Sequence, residues 1–191
     1  MSGATRTPRA RRFDPDRRDR ILAACLNVIE SDGVAGVSHR KVAAVADVPL
    51  GSMTYHFDGM DALLFAAFGA FAAEADAGLA DALAAAASPE VAREVLVEHI
   101  TDRVLVNRRA LVLTTELYAL AARDERYRAI TGAWMARSRA ALERRFDAPT
   151  AALLDALTEG LTLHRALDDG RLTPADVRLA VARVSRPQSS G

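Results

Sequence analysis

Little in this chain marks an enzyme, a secreted scaffold or a membrane protein. Its 191 residues include one cysteine, Cys25, which rules out a disulfide framework and fits a reducing cytoplasm. No run of 18 or more apolar residues is present, so no membrane span is expected. The N-terminus is arginine-rich but lacks the apolar stretch of a secretory signal. A Gly-rich phosphate loop, a nucleophile elbow and a cysteine pair are all missing. Glu98, His99 and Asp102 share one helix side, but their spacing matches no ligand motif and solvated charges explain them. These absences argue against catalysis, against a bound metal and against a cofactor. The expectation is a soluble cytoplasmic protein with no membrane partner.

Charge is balanced overall, with 25 Lys and Arg against 25 Asp and Glu, and half of the residues are hydrophobic. That balance argues against wholesale disorder, and the length suffices for a core without staples. The distribution of charge says more than its sum. Residues 1–20 carry seven arginines against three aspartates. Such an arm either contacts phosphates or is merely a solvated tail, and composition leaves both open.

Alanine is abundant and strand-like alternation is absent, so the chain reads as all-α with about nine helices. Residues 1–13 form a flexible basic arm. Asp14-Pro15 then reads as an N-cap followed by a first-turn proline. Ile21, Leu22, Cys25, Leu26, Val28 and Ile29 give the first helix its apolar face, and Gly33 closes it. Ser38 caps a short second helix whose buried side is Val42, Ala43 and Val45. Ala46-Asp47-Val48 is a tight turn, and Pro49 opens a third short helix ending near His56. Asp58 caps a fourth helix, with Asp61 in the capping-box position. That helix runs to about residue 78 or fuses with the Ala-rich stretch up to Ala87. Further helices are expected at 89–105, 108–122, 125–146, 149–168 (ending at Gly170) and 174–184, before a disordered tail over 186–191.

The informative stretch is Ser38 to Phe57. Two short helices separated by three or four residues have the spacing of a helix-turn-helix. Gly51, Ser52 and Thr54 are small groups that allow the second helix to approach phosphates and base edges. Here the chain resembles the TetR family of transcriptional regulators. Ser38, Val42-Ala43, Ala46, Val48, Gly51, Tyr55, His56-Phe57 and Leu63-Leu64 fall in register with that family's pattern, and Asp32-Gly33 ends the preceding helix in the familiar way. Three residues depart from it. Asp47 replaces a common Gly, a change that the left-handed region tolerates. Pro49 replaces a Ser or Thr, and Met60 replaces a frequent Lys.

The resemblance implies an N-terminal three-helix DNA-binding domain over 14–58 and a helical ligand-binding and dimerisation domain over 59–185. It implies phosphate contacts from Arg40 and Lys41, the alternative being an exposed salt-bridged face. Leu50, Gly51, Ser52 and Met53 are expected at base edges, and Tyr55 and His56 at phosphates. Phe57 is expected as a core anchor, and His39 either touches the DNA backbone or sits by the cap. A homodimer on an inverted-repeat operator follows, because one helix-turn-helix reads only half a site. Its seam is expected at Leu153, Leu157, Gly160, Leu161, His164, Val177 and Val181, unless these pack within one chain. Phe68, Phe71, His99, Arg103, Tyr118, Trp134 and Met135 are candidates for lining a small-molecule cavity or for ordinary core. The function expected is a ligand-released repressor. The alternative is an architectural or partner-regulated DNA-binding protein without an inducer.

Overall fold

The computed structural model describes residues 16–75, 77–103, 108–168 and 171–186. The arm over 1–13, the Asp14-Pro15 cap, Gly170 and residues 187–191 of the tail lie outside them. The regular structure of the described residues is helical: α1 (Arg17–Asp32), α2 (His39–Val45), α3 (Gly51–His56), α4 (Gly59–Glu74), α5 (Ala77–Ala85), α6 (Pro89–Glu98), α7 (Arg108–Ala121), α8 (Glu125–Leu142), α9 (Ala148–Leu167) and α10 (Pro174–Val184). Taken as one run, Gly59–Ala85 is 27 residues long and apolar enough, by length and composition, to cross a membrane. In the fold its Leu63, Leu64, Ala67, Phe68 and Ala72 are buried core residues.

Side-chain oxygens start most of these helices. Ser38, Ser88, Asp124, Asp147 and Thr173 each accept a backbone N–H of the first turn, which satisfies a donor the helix itself leaves unpaired. At α10 the cap is reciprocal, because the Asp176 carboxylate accepts the Thr173 N–H in return. Asp58 precedes α4 but makes no side-chain cap bond. Pro49 does not open α3. Its carbonyl accepts from Ser52 N–H at 2.8 Å, so the proline belongs to the turn before the helix. Asp47 adopts φ 51°, the left-handed conformation the turn needs and Asp tolerates. α6 stops at Glu98 and widens into a π turn over His99–Arg103; the expected end at residue 105 lies outside the described residues.

Two hydrophobic clusters hold the helices together. The first packs α1, α2 and α3 against α4 and one end of α7 and α8, around Ile21, Ile29, Val42, Met53, Phe68 and Leu117. The second joins α5, α6, α9 and α10 with the far end of α8, around Leu83, Leu96, Leu142, Leu154 and Val177. Val45 does not share the buried side of α2 and is 52% exposed. Ala46, one position later, closes that face instead, because the buried positions of this short helix are 42, 43 and 46.

Candidate nucleic-acid interface and ligand site

The segment from α2 to α3 forms a helix-turn-helix with one buried and one bare face. Met53 and Phe57 stand four residues apart and point into the first core. The same turn therefore sends Leu50, Gly51, Thr54 and Tyr55 to the outside. Tyr55 is 84% exposed and its ring meets His56 edge to face at 5.0 Å. A β-carbon at Gly51 would meet nothing within 4 Å, so this surface is open to a close approach.

The two basic residues of α2 differ. Lys41, the only lysine in the chain, places its ammonium 2.8 Å from the Asp32 carboxylate and 2.9 Å from the Gly36 carbonyl. Hydrogen bonds from Lys41 and Ser31 and the lysine charge hold Asp32 below its usual pKa. Arg40 is exposed and makes no ion pair among the described residues. Of the pair, the Arg40 charge is the one available to a phosphate.

In the second half, α7, α8 and α9 bring together a ring cluster and a carboxylate. The Phe71 ring from α4 meets Trp134 edge to face at 5.9 Å, and the Tyr118 ring lies 6.3 Å from Trp134 at 36°. The Tyr118 hydroxyl donates to the Glu159 carboxylate on α9. The Thr158 and Thr162 hydroxyls are buried without a hydrogen-bond partner among the described residues.

No protein-family model matches the chain, and no curated protein matches it. Solved structures do. A putative transcriptional regulator of Streptomyces coelicolor A3(2), SCO7518, is 49% identical, with a TM-score of 0.85, over 91% of this chain and 100% of that one. The multidrug binding protein EbrR, complexed with imidazole, is 35% identical with a TM-score of 0.78 over 96% and 100%. SCO1917 of Streptomyces coelicolor A3, a member of the TetR family, is 36% identical with a TM-score of 0.69 over 91% and 100%. The chain belongs to the TetR family. It is thus a transcriptional regulator with the DNA-binding fold of that family, a family of regulators rather than enzymes.

For this TetR-family member the structure sorts the residues singled out in the sequence. Leu50, Gly51, Ser52, Tyr55, His56 and Arg40 lie on or beside the bare face of the helix-turn-helix. Met53 does not, since it is fully buried and its place on the outer face is taken by Thr54, one residue on. Phe57 is a core anchor, with the Arg18 guanidinium 5.5 Å over its ring. His39 opens α2 with its Nε2 buried and without a hydrogen-bond partner among the described residues.

Phe68 is fully buried in the first core against Tyr127. Phe71, Tyr118 and Trp134 cluster as described. His99 stands half-buried on the π turn, which packs on α9, and Met135 is half-buried on α8. The Arg103 side chain and the Asp102 side chain lie outside the described residues. Neither of two grooves on the α4–α8 side, of about 310 and 110 Å³ and both bordered by Arg137, is lined by any of these candidates. Glu159, Thr158 and Thr162 were missed in the sequence because nothing local marks them; only the Tyr118 contact from another helix does.

The seam residues divide in the same way. Val177 and Val181 are sealed inside this chain, beside Leu154 and Leu96, so they belong to the core and not to a dimer surface. On α9, Leu153 is 58% and Leu167 is 65% exposed, and Leu163 is exposed as well. With Leu157, Gly160 and His164 they form one stripe at helical spacing along the whole helix. A β-carbon at Gly160 would meet nothing within 4 Å. Leu161 is half-buried against the second core. Leu163, which strengthens the stripe, was not among the residues singled out from the sequence.

Proposed function

We propose that this protein is a homodimeric repressor that binds an inverted-repeat operator through α3 and leaves it when a small molecule binds. The observation that carries the reading is the bare outer face of α3, with Tyr55 almost wholly exposed while Met53 and Phe57 anchor the helix from behind. A soluble core helix would bury such a ring; a recognition helix needs it outside. In this reading residues 14–58 form the reading head, and 59–185 the sensing and pairing part.

The exposed leucine stripe of α9 supports pairing, since apolar rows of that length are usually covered in a working assembly. EbrR is described as a multidrug binding protein and its structures include complexes with ethidium and proflavin. By analogy the ring cluster of Phe71, Tyr118 and Trp134 takes a lipophilic aromatic molecule. α7 links the two parts. It carries Tyr118, and near its start the Arg109 guanidinium donates to Asn27 and Glu30 of α1, both at 2.6 Å. A ligand that favours a shifted α7 thereby disfavours the DNA-bound placement of α1 and α3 by its differential binding.

Selection of bound sequences from a random duplex pool tests the reading. An inverted repeat with half-sites about one DNA turn or somewhat more apart (~34 Å or beyond) is the expected product, and recovery of no common motif overturns it. On the recovered operator, Arg40→Ala lowers affinity and makes the salt dependence shallower by about one phosphate contact. Lys41→Ala changes that slope little, because its charge is already matched by Asp32. The architectural alternative draws support from the two shallow grooves lying away from the ring cluster. Release of the operator by an aromatic compound excludes it.

A further inference from the structure

We propose that the groove between α4 and α8 is a second small-molecule site, shaped for a straight-chain alkyl carboxylate of medium length. Its volume is about 310 Å³. Phe65, Gly69 and Ala73 of α4 form one wall, and Ala129, Ile130 and Ala133 of α8 form the other. It shares no lining residue with the ring cluster of Phe71, Tyr118 and Trp134, so it is independent of the site proposed above. Most of its side chains are small, which keeps it open. Gly69 stands inside α4, where a glycine weakens a helix, and a β-carbon there would meet nothing within 4 Å. Packing within the chain therefore does not call for a glycine at this position; an open groove does.

Arg137 borders one end and is the only charged residue on the lining. Its Nη2 donates to the Ala72 carbonyl at 2.6 Å, which holds the guanidinium at the rim, near the end of α4. Arg137 makes no ion pair among the described residues. A guanidinium carries five N–H donors, and those not turned to the carbonyl suit a carboxylate. The Phe65 ring, 39% exposed, marks the other end, where it meets Tyr127 at 5.8 Å. Eight residues separate Phe65 from Ala73, and Ala129 from Arg137. At about 1.5 Å per residue that is about 12 Å of groove, the reach of an extended alkyl chain of about ten carbons. An apolar trough with a fixed cation at one end complements an alkyl body with an anionic head. A cationic head is repelled there, and a neutral one leaves the guanidinium unmatched.

Equilibrium dialysis of the full chain without DNA, against radiolabelled straight-chain carboxylates from hexanoate to tetradecanoate, tests the assignment. Saturable binding is expected, with affinity rising by up to about fourfold per methylene and levelling near about ten carbons, because the groove ends at Phe65. Decyltrimethylammonium, of similar length, binds more weakly than decanoate. Arg137→Gln weakens decanoate about tenfold and leaves decanol unchanged. Arg137→Lys, which keeps the charge, retains most of the decanoate affinity and guards against a folding defect in the first variant. Gly69→Leu fills the groove and abolishes binding of both. Decanoate bound equally by the parent chain, Arg137→Gln and Gly69→Leu sits elsewhere, and that result overturns the proposal. Affinity that keeps climbing through tetradecanoate is unspecific adsorption and overturns it as well. Absence of saturable binding does the same, and if Gly69→Leu also breaks up a dimer, the groove belongs to a second copy. None of these results touches operator binding or its release by an aromatic compound.

Discussion

Around Met53 and Phe57 the chain packs a reading helix against α1, α2 and α4 with every inward side chain apolar. Along α9 the same inward role passes from Ala151 and Leu154 to Thr158, Thr162 and Arg165 within four turns of helix. The outer face of α9 differs too, being a row of leucines rather than small polar groups. Under the proposed function the two regions solve opposite problems. A reading helix must keep one position relative to the duplex, and dense apolar packing of low compressibility supplies that. In the proposed reading the second region responds to a ligand and must have two arrangements of similar free energy, and unsatisfied buried polar atoms reduce the gap between them.

The difference can be broken at its strong end first. Met53→Ala removes a side chain with no route to solvent and should destabilise the fold by about 3 kcal/mol, read as a lower denaturation midpoint. An effect under about 1 kcal/mol would mean that the first core is no tighter than the second. Cys25 sharpens the same point through pH. Burial pushes its thiol from 9.0 up to about 12, so the folded chain keeps a proton that the unfolded chain releases. Stability should therefore be insensitive to this group below pH 9 and fall between about 9 and 12, by up to about 1.4 kcal/mol per pH unit. Cys25→Ala removes that part of the alkaline slope.

In the second region the sign reverses. Thr158→Val replaces a buried unpartnered hydroxyl with a methyl of the same shape and should stabilise by about 1 kcal/mol. A loss of stability would show that the hydroxyl is satisfied in solution. The smallest effect is at the α10 cap, where Thr173→Ala removes one half of a reciprocal pair and should lower stability by about 0.5–1 kcal/mol. Equal urea midpoints for this variant and the parent chain would mean that α10 is held by Val177 and Val181 alone.

Helix starts were legible because they depend on residues next to each other in the chain. Ser38 caps where the sequence places it, Ser88 and Thr173 start the helices expected from 89 and 174, and the positive φ of Asp47 follows from the turn it must make. Helix ends were less so, as at α6, where the chain widens into a π turn at a place no capping residue announces. Residue roles failed where two readings share one local pattern. Met53 and Thr54 are neighbours on a six-residue helix, and only the position of the first core decides which faces inward. Val177 and Val181 have the spacing of a seam and also of a core stripe, and Leu96 and Leu154 decide for the core.

The order of residues by itself settled that this chain is helical, where most of its helices begin, and that α2 and α3 form a helix-turn-helix, because caps, turns and apolar periods act over a few residues. Which face of each helix meets the rest of the molecule was decided only when distant segments closed on one another. That closure buried Met53 and Phe68, left Leu153, Leu163 and Leu167 of α9 bare, and carried Tyr118 to Glu159 across 41 positions of chain. Such contacts depend on long-range packing, and no local rule along the chain encodes them.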